Sequence, residues 1–305
     1  MDSIFRRIAG LFRDAAVNWV QDHAQSMGAA LAFYTIFSIA PLLLIVIAVA
    51  GAVFGQEAAR GEIFTQLQGL LGAPGALAVQ GLIESAGRPA DNAMATAFGL
   101  IFLFIGATSV FAELQDALNR IWRAPQKRKV SGLWALVRAR LLSFGMILGI
   151  GFLLIVSLAF SAGLAALSQW WDPNSAGWLT LARISEFGLG LAISTAVFAM
   201  IYKTMPRVQV RWSDVWVGAV VTSLFFMVGK ALIGTYIGRS GISSGFGAAA
   251  SLIVVLLYVY YSAQIFLFGA EFTWVYSHRF GSRRGQDIGV AAGPQAAAPG
   301  AAGTV

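Results

Sequence analysis

Long apolar stretches alternate with short basic ones along this chain. Residues 24–56, 141–171 and 240–270 contain no Asp, Glu, Lys or Arg. Because a helix needs about 20 apolar residues to cross a bilayer, the pattern predicts an all-α, polytopic membrane protein with six transmembrane helices. The six predicted spans are residues 28–54, 93–111, 141–167, 179–202, 215–237 and 246–275.

Apolar residues also recur at helical spacing outside the spans. Residues 1–23 interleave them with arginines, which predicts an amphipathic helix that lies on the cytoplasmic membrane surface or packs on the base of the bundle. Residues 56–92 form a large outer loop, in which two short helices split by Pro74 and Gly75 are predicted. The membrane domain is placed at 24–280. The Ala-, Gly- and Pro-rich tail, 281–305, is expected to be disordered.

The basic residues predict the orientation of the spans. Most of the 21 Lys and Arg fall in the N-terminal segment, in the loops after spans two and four, and in the C-terminal tail. Because cytoplasmic loops are enriched in Lys and Arg, both termini are expected in the cytoplasm. The net charge of +7 then reflects topology and attraction to anionic lipid, so membrane lipids rather than nucleic acid are the expected partners.

The composition narrows the class of protein further. The chain is 58% hydrophobic and 11% charged, whereas soluble domains carry about 25% charged residues. It has no cysteine and only two histidines, His23 and His278. No metal-ligand cluster, phosphate-binding loop or nucleophile elbow is visible. We therefore expect no enzyme activity, no metal and no cofactor.

Two charged residues interrupt predicted spans four and five. Glu186 and Lys230 each lie about 10 Å below the outer rim at 1.5 Å per residue. Intramembrane charges normally face the bundle interior, so one hypothesis is that these two side chains pair or line a polar cavity open to the outside. In the alternative, Lys230 extends to the outer surface and Arg183 pairs with Glu186 at the rim.

Further polar residues lie toward the predicted inner side. Glu113, Asp116 and Arg120 share one helical face beyond span two, with Asp116 and Arg120 spaced for an i,i+4 pair. In span one, Tyr34 precedes Pro41, which is expected to kink the helix. Gln264 and Glu271 are seven residues apart, on one face of span six.

We call Gln264 and Glu271 the polar seam of span six. Two interpretations of this seam remain open. In the first its role is structural, with Gln264 hydrogen bonding across helices and Glu271 accepting from Arg or Tyr groups at the inner end. In the second a substrate path runs along Gln264, Glu271, Glu113 and Arg120.

Four motifs carry a family resemblance. They are AALAFYTIFSIAPLLL (29–44), ELQDALNRIW (113–122), MPRVQVRWSDVWVGA (205–219) and YVYYSAQIFLFGAEFTWVY (258–276). Together they resemble the YihY/BrkB family of bacterial inner-membrane proteins, formerly labelled ribonuclease BN. The resemblance covers about residues 15 to 280. The polar positions typical of the family correspond here to Tyr34, Pro41, Glu113, Gln115, Asn119, Arg120, Pro206, Gly218, Lys230, Ser262 and Glu271.

The resemblance implies a six-span protein of the bacterial inner (plasma) membrane whose activity is unsettled. Relatives are linked to serum resistance and to lipid or lipopolysaccharide export. We therefore expect a transporter of a lipid-like or anionic amphipathic substrate. A non-transporting scaffold or envelope-integrity protein is the alternative, and a ribonuclease is the weakest. A homo-oligomer or envelope partners are left open, as are the substrate and the energy source.

Overall fold

A computed structural model describes residues 2–86, 105, 109–125, 176–239 and 250–285. Within these residues the only regular secondary structure is α-helix. The helices are α1 (Asp2–Gln21), α2 (Ala24–Phe54), α3 (Gln56–Ala86), α4 (residues 109–121), α5 (Ala176–Thr204), α6 (Trp212–Arg239) and α7 (Ala250–Arg279).

Four segments of the described helices are long and apolar enough to cross a membrane. They are Ala24–Ala52, Phe187–Thr204, Trp212–Ile233 and Leu252–Arg279. They correspond to predicted spans one, four, five and six. Predicted span three, and all of span two except residues 105 and 109–111, lie outside the described residues. The total of six spans and the orientation of the termini therefore stay predictions.

The last helix, α7, is the centre of the bundle. It contacts α1, α2, α3 and α6, and α6 in turn packs against α5. Residues 269–275 of α7 are all buried. Because this segment has neighbours on several sides, it buries its whole circumference rather than one amphipathic stripe. The same core takes in Leu118 and Ile121 of α4 and Tyr202 of α5.

The N-terminal helix α1 packs against the end of α7. Leu11 is buried, and the Phe12 and Phe272 rings stack with centroids 5.0 Å apart. Asp14 forms an ion pair with Arg279. α1 therefore packs against the end of α7, and its position relative to the cytoplasmic membrane surface stays a prediction. The large apolar side chains that α1 exposes in its described part are Ile8, Val17 and Val20.

Residues 56–86 form one helical run where the sequence predicts two short helices. The run is bent at the predicted break. A Cβ atom built on Gly75 would lie 2.6 Å from the Cβ atom of Leu71, whereas Cβ atoms four residues apart in a regular helix are about 5–6 Å apart. The sequence has Pro74 at this point, and a proline inside a helix has no backbone N–H to donate to the preceding turn.

The bend brings the two halves of α3 together. Phe64 and Ile83 line one cavity, although a straight helix would separate them by about 28 Å. Leu71 and Val79 also join one apolar cluster with Tyr258 of α7. α3 is thus part of the helix packing around α2 and α7. The placement of α3 on the outer side of the membrane stays a prediction.

The predicted cytoplasmic segments meet at one end of the bundle, which we call the basal end. The α1 residue Asp14 pairs with Arg279. The α4 residue Gln115 donates to the Met205 carbonyl in the α5–α6 loop, at 3.0 Å. Arg283 in the turn after α7 donates to the Gln209 carbonyl of the same loop, at 3.1 Å. The described parts of these segments therefore lie at the same end of the bundle, and the side of the membrane that this end faces stays a prediction.

Candidate functional site

At the basal end a fully buried glutamate lies among charged and aromatic side chains. Glu271 on α7 is 0% exposed. Asp22, in the turn between α1 and α2, and Arg123, just after α4, both lie close enough to interact electrostatically with it. Trp274 and His278 follow Glu271 on α7. We call these five residues the basal cluster.

Arg123 is held in place by the way α4 ends. The Ala124 amide donates to the Asn119 carbonyl at 2.8 Å, and the Arg123 amide donates to Arg120 at 3.0 Å. This is a Schellman cap, whose left-handed position usually holds glycine. Here Arg123 takes it with φ 48°, which costs roughly 1–2 kcal/mol. The strained backbone directs a guanidinium toward the cluster.

The aromatic side chains of α7 receive that guanidinium. The Arg123 Cζ atom lies 4.4 Å from the centroid of the Trp274 ring. On the same helix the Trp274 and His278 ring centroids are 4.2 Å apart, and His278 Nδ1 lies 2.8 Å from the Trp274 carbonyl oxygen. A cation over an indole face is stabilised by about 0.5–2 kcal/mol.

Asp22 is positioned by an equally unusual turn. α1 ends at Gln21, and His23 adopts a left-handed conformation with φ 55° before α2 begins. Among the described residues, His23 and Arg123 are the only non-glycine residues with positive φ. One is next to Asp22 in sequence and the other is itself in the cluster. Strained backbone of this kind concentrates at functional sites.

The polar seam of α7 faces the start of α2. The Gln264 amide nitrogen donates to the Gln25 carbonyl at 3.4 Å, and its side chain lies over Gly28. One helical repeat further along, Glu271 faces Asp22. The Gln264 contact joins α7 to α2, and the choice between a structural role and a substrate path for Gln264 and Glu271 stays open.

The α5–α6 loop is fastened to α4 by two side chains one turn apart. Gln115 donates to the Met205 carbonyl, and the Asn119 amide oxygen accepts from the Arg207 amide at 2.8 Å. Pro206, which lies between Met205 and Arg207 in the loop, is buried. The family-type positions Gln115, Asn119 and Pro206 thus act together as one structural joint.

A second candidate site is a cavity of about 610 Å³ between α2 and the bent α3. Most of its lining is apolar. Polar groups come from Arg60 at one end of α3 and from Gln80 and Glu84 at the other, with Gln80 donating to Glu84 at 3.0 Å. The apolar lining residues are Leu44, Ile47, Ile63, Phe64, Leu67 and Ile83. The volume falls within the ~300–1,000 Å³ typical of small-molecule sites.

The structure describes only part of the predicted pair of Glu186 and Lys230 near the outer rim. Lys230 is exposed on α6. Arg183 and Glu186 lie on α5, but their side chains are outside those described. The proposed contact between Glu186 and Lys230 therefore stays a prediction.

The predicted inner residues occupy different environments. Glu113 is half-buried on α4, where burial and the nearby negative charge of Asp116 raise its pKa from 4.5. Asp116 and Arg120 are exposed, and Tyr34 is 39% exposed beside Phe33. Among the described residues, no contact joins these four side chains to Glu271. Pro41 lies inside α2, which continues to Phe54. The inner substrate path therefore stays a prediction.

Several residues of the two sites were not predicted. Asp22 and Arg123 lie at helix ends, where charged residues are common and give no distinguishing signal. Arg60 and Glu84 are far apart in sequence and line the same cavity only because α3 bends. The positive φ of His23 and Arg123 cannot be inferred from residue type either.

An apolar helical bundle of this kind, with several candidate spans around a buried polar end, defines a multi-pass α-helical membrane protein. The chain belongs to the virulence factor BrkB family, whose sequence profile matches residues 15–292. This confirms the resemblance inferred from the four motifs.

Curated relatives agree with the family assignment. The UPF0761 membrane protein of Pseudomonas aeruginosa (strain LESB58) is 29% identical over 261 residues, covering 85% of this chain and 60% of that protein. The relative from Ralstonia nicotianae is 29% identical over 267 residues, covering 82% and 55%. That from Rhodospirillum centenum is 29% identical over 272 residues, covering 87% and 56%. The chain thus spans just over half the length of these relatives. No solved structure matches the chain significantly.

Proposed function

We propose that this chain is a transporter of the bacterial inner membrane that binds a single-chain, anionic amphipathic molecule in the α2–α3 cavity and moves it. The observation that carries the proposal is the lining of that cavity. Six apolar side chains suit a hydrocarbon tail, and the same lining includes the polar groups of Arg60, Gln80 and Glu84. Removing apolar surface of the tail from water favours binding by about 25 cal/mol of free energy per Å² buried.

The charge in the cavity favours an anionic headgroup. Glu84 already accepts a hydrogen bond from Gln80. Arg60 lines the same cavity, and among the described residues it forms no ion pair. A guanidinium offers a planar set of donors that matches a carboxylate or phosphate. A fatty acid or a lysophospholipid has this combination of one tail and one anionic head.

A second function is favoured by the packing at the basal end. Glu271, Thr222 and Thr273 are all fully buried, and α6 and α7 meet closely along their length. A sealed inner half suits a protein that binds lipid to support the envelope without moving it. In that case the cavity would bind the amphiphile and no transfer would follow.

Transfer across the bilayer separates these two functions. Purified protein would be reconstituted into vesicles with a single-chain anionic lipid carrying a fluorescent group, and inward movement would be followed by quenching from outside. Binding would be measured in parallel by native mass spectrometry of the same lipid. We expect both binding and movement for the wild-type chain.

Cavity-filling variants supply the test of the site. Phe64→Trp and Ile83→Trp should reduce binding and movement together, and Arg60→Gln should weaken the binding of anionic more than of neutral lipid. Leu77→Trp is the matched control, because Leu77 is on the same helix, is 60% exposed and does not line the cavity. Binding without movement would leave the envelope-support function; unaltered binding in both filled variants would remove the cavity from the proposal.

A further inference from the structure

Among the residues that the structure describes, the carboxyl group of Glu271 meets no hydrogen-bond donor. Both of its oxygens are buried, and neither has a hydrogen-bond partner there. Its nearest charged influences are Asp22 from the α1–α2 turn and Arg123 from the end of α4. The neighbouring helix α6 presents Gly218 and Thr222 to this part of α7, and neither is titratable.

Two ionised carboxylates are a poor fit to this geometry. Asp22 and Glu271 are placed for a side-chain hydrogen bond, yet ionised carboxylates only accept and cannot bond to one another. An isolated buried charge is strongly unfavourable. Arg123, the cation near Glu271 in the described part of the chain, has its guanidinium stacked on the Trp274 ring. A proton placed between the two carboxyl groups supplies the missing donor.

We propose that Asp22 and Glu271 form a proton-binding site, in which a single proton is shared between the two carboxyl groups. Glu271 carries the proton and donates it to Asp22. The site has two carboxyl groups and an adjacent arginine, and among the described residues no group of three or more potential metal ligands occurs. A proton is therefore the cation that this arrangement accommodates. The inference does not depend on the proposed transport function.

The shared proton has a mechanical consequence. Asp22 sits in a strained turn that joins α1 to α2, so the proton ties that turn to α7. Loss of the proton to water at the basal end would leave two negative charges facing each other. The turn and the end of α1 would then separate from α7. Proton binding and closure of the basal end are thus one event.

Infrared spectroscopy of the reconstituted full chain tests the proposal. A protonated carboxyl group gives a carbonyl stretch that an ionised one lacks. We expect such a band at neutral pH, shifted when the glutamate side chains carry a heavy-isotope carboxyl label and absent from Glu271→Gln. Glu113→Gln, which removes a half-buried glutamate elsewhere, should leave the band in place. Absence of a label-sensitive band at neutral pH would overturn the proposal, and that measurement needs no variant to fold.

Hydrogen exchange gives a second, independent reading. Beyond the intrinsic effect of pH on exchange, opening of residues 20–26 should increase with pH in the wild-type chain. In Glu271→Gln it should be nearly independent of pH, because the amide donates to Asp22 at every pH. The same pH dependence in both proteins would contradict the shared proton. If Glu271 were instead an anion paired with Arg123, Glu271→Gln would open the turn at all pH values.

Discussion

Gly218 on α6 lies directly against the side chain of Thr273 on α7. The contact is reciprocal, because Gly269 on α7 lies against Thr222 on α6. Each threonine also donates to the carbonyl of the glycine one turn before it, Thr222 to Gly218 at 2.7 Å and Thr273 to Gly269 at 2.6 Å. Small residues allow helices in a membrane to approach closely, where van der Waals contact rather than the hydrophobic effect holds them together.

The Gly–Thr contacts predict a cost for any added side chain. Gly218→Ala and Gly269→Ala should each destabilise the bundle by about 1–3 kcal/mol through overpacking. The measurement is the thermal unfolding of purified protein in detergent. Gly188→Ala is the control, because a Cβ atom there meets no atom of the described residues within 4 Å. Equal stability of Gly218→Ala and Gly188→Ala would show that the helices do not meet as closely as described.

The turn after α7 is held by hydrogen bonds to Asp214 on α6. Asp214 is 2% exposed and accepts from the Ser282 amide at 3.1 Å and from the Ser282 hydroxyl at 2.6 Å. Asp214→Ala removes the carboxylate oxygen, Oδ2, that accepts both bonds, and it should release residues 280–285. We expect faster tryptic cleavage after Arg283 and Arg284, with a loss of about 1–3 kcal/mol. Ser85→Ala, which removes an exposed hydroxyl on α3, should leave the cleavage rate unchanged.

The joint between α4 and the α5–α6 loop predicts a local change. Asn119→Ala removes the acceptor of the Arg207 amide, so exchange of that amide with solvent should accelerate by roughly tenfold for a loss of about 1.4 kcal/mol. Asp116→Ala alters an exposed residue of the same helix and serves as the comparison. If only other amides of the loop exchanged faster, the Arg207 amide would not be the donor to Asn119.

The environment of Glu113 makes the stability of the folded chain depend on pH. Burial and Asp116 raise its pKa in the folded chain above 4.5, so the folded state binds a proton more tightly than the unfolded state. Ionisation of Glu113 therefore destabilises the fold above that raised pKa, and the penalty disappears as the pH falls toward 4.5. Glu113→Gln should raise the unfolding temperature at neutral pH and reduce its change between neutral pH and 4.5.

Its control is Glu57→Gln, an exposed position in the first turn of α3. This variant should retain the wild-type pH profile in the same range. A Glu113→Gln protein with an unchanged profile would mean that Glu113 is as well solvated when folded as when unfolded.

The sequence predicts the long apolar helices well because their signal is local. The charge-free stretch at 24–56 corresponds to one continuous helix, α2, since each residue contributes to spanning independently of tertiary contacts. The break in α3 at Pro74 and Gly75 was likewise visible, because proline chemistry acts within a few residues. What was missed there is the outcome: a single bent helix whose halves enclose a cavity.

The candidate sites were harder to predict, because they depend on which helix ends meet. The spacing of Gln264 and Glu271 predicts their shared face, but nothing in the spacing identifies Gln25 and Asp22 as the groups they face. The role of Gln115 was marked only by the family resemblance. Its hydrogen bond to Met205, 90 residues away, is visible only in the structure.

The sequence by itself determined that this is a helical membrane protein, and it determined the family; the placement of the basic segments on one side of the membrane stays a prediction. These properties follow from hydropathy, from charge distribution and from ordered motifs, each of which is written locally in the chain. Only the tertiary structure decided that Glu271 is sealed beside Asp22 and that the two halves of α3 face each other. Burial and charge proximity are properties of assembled helices, and the energy of a buried carboxyl group depends on neighbours that the linear sequence does not place.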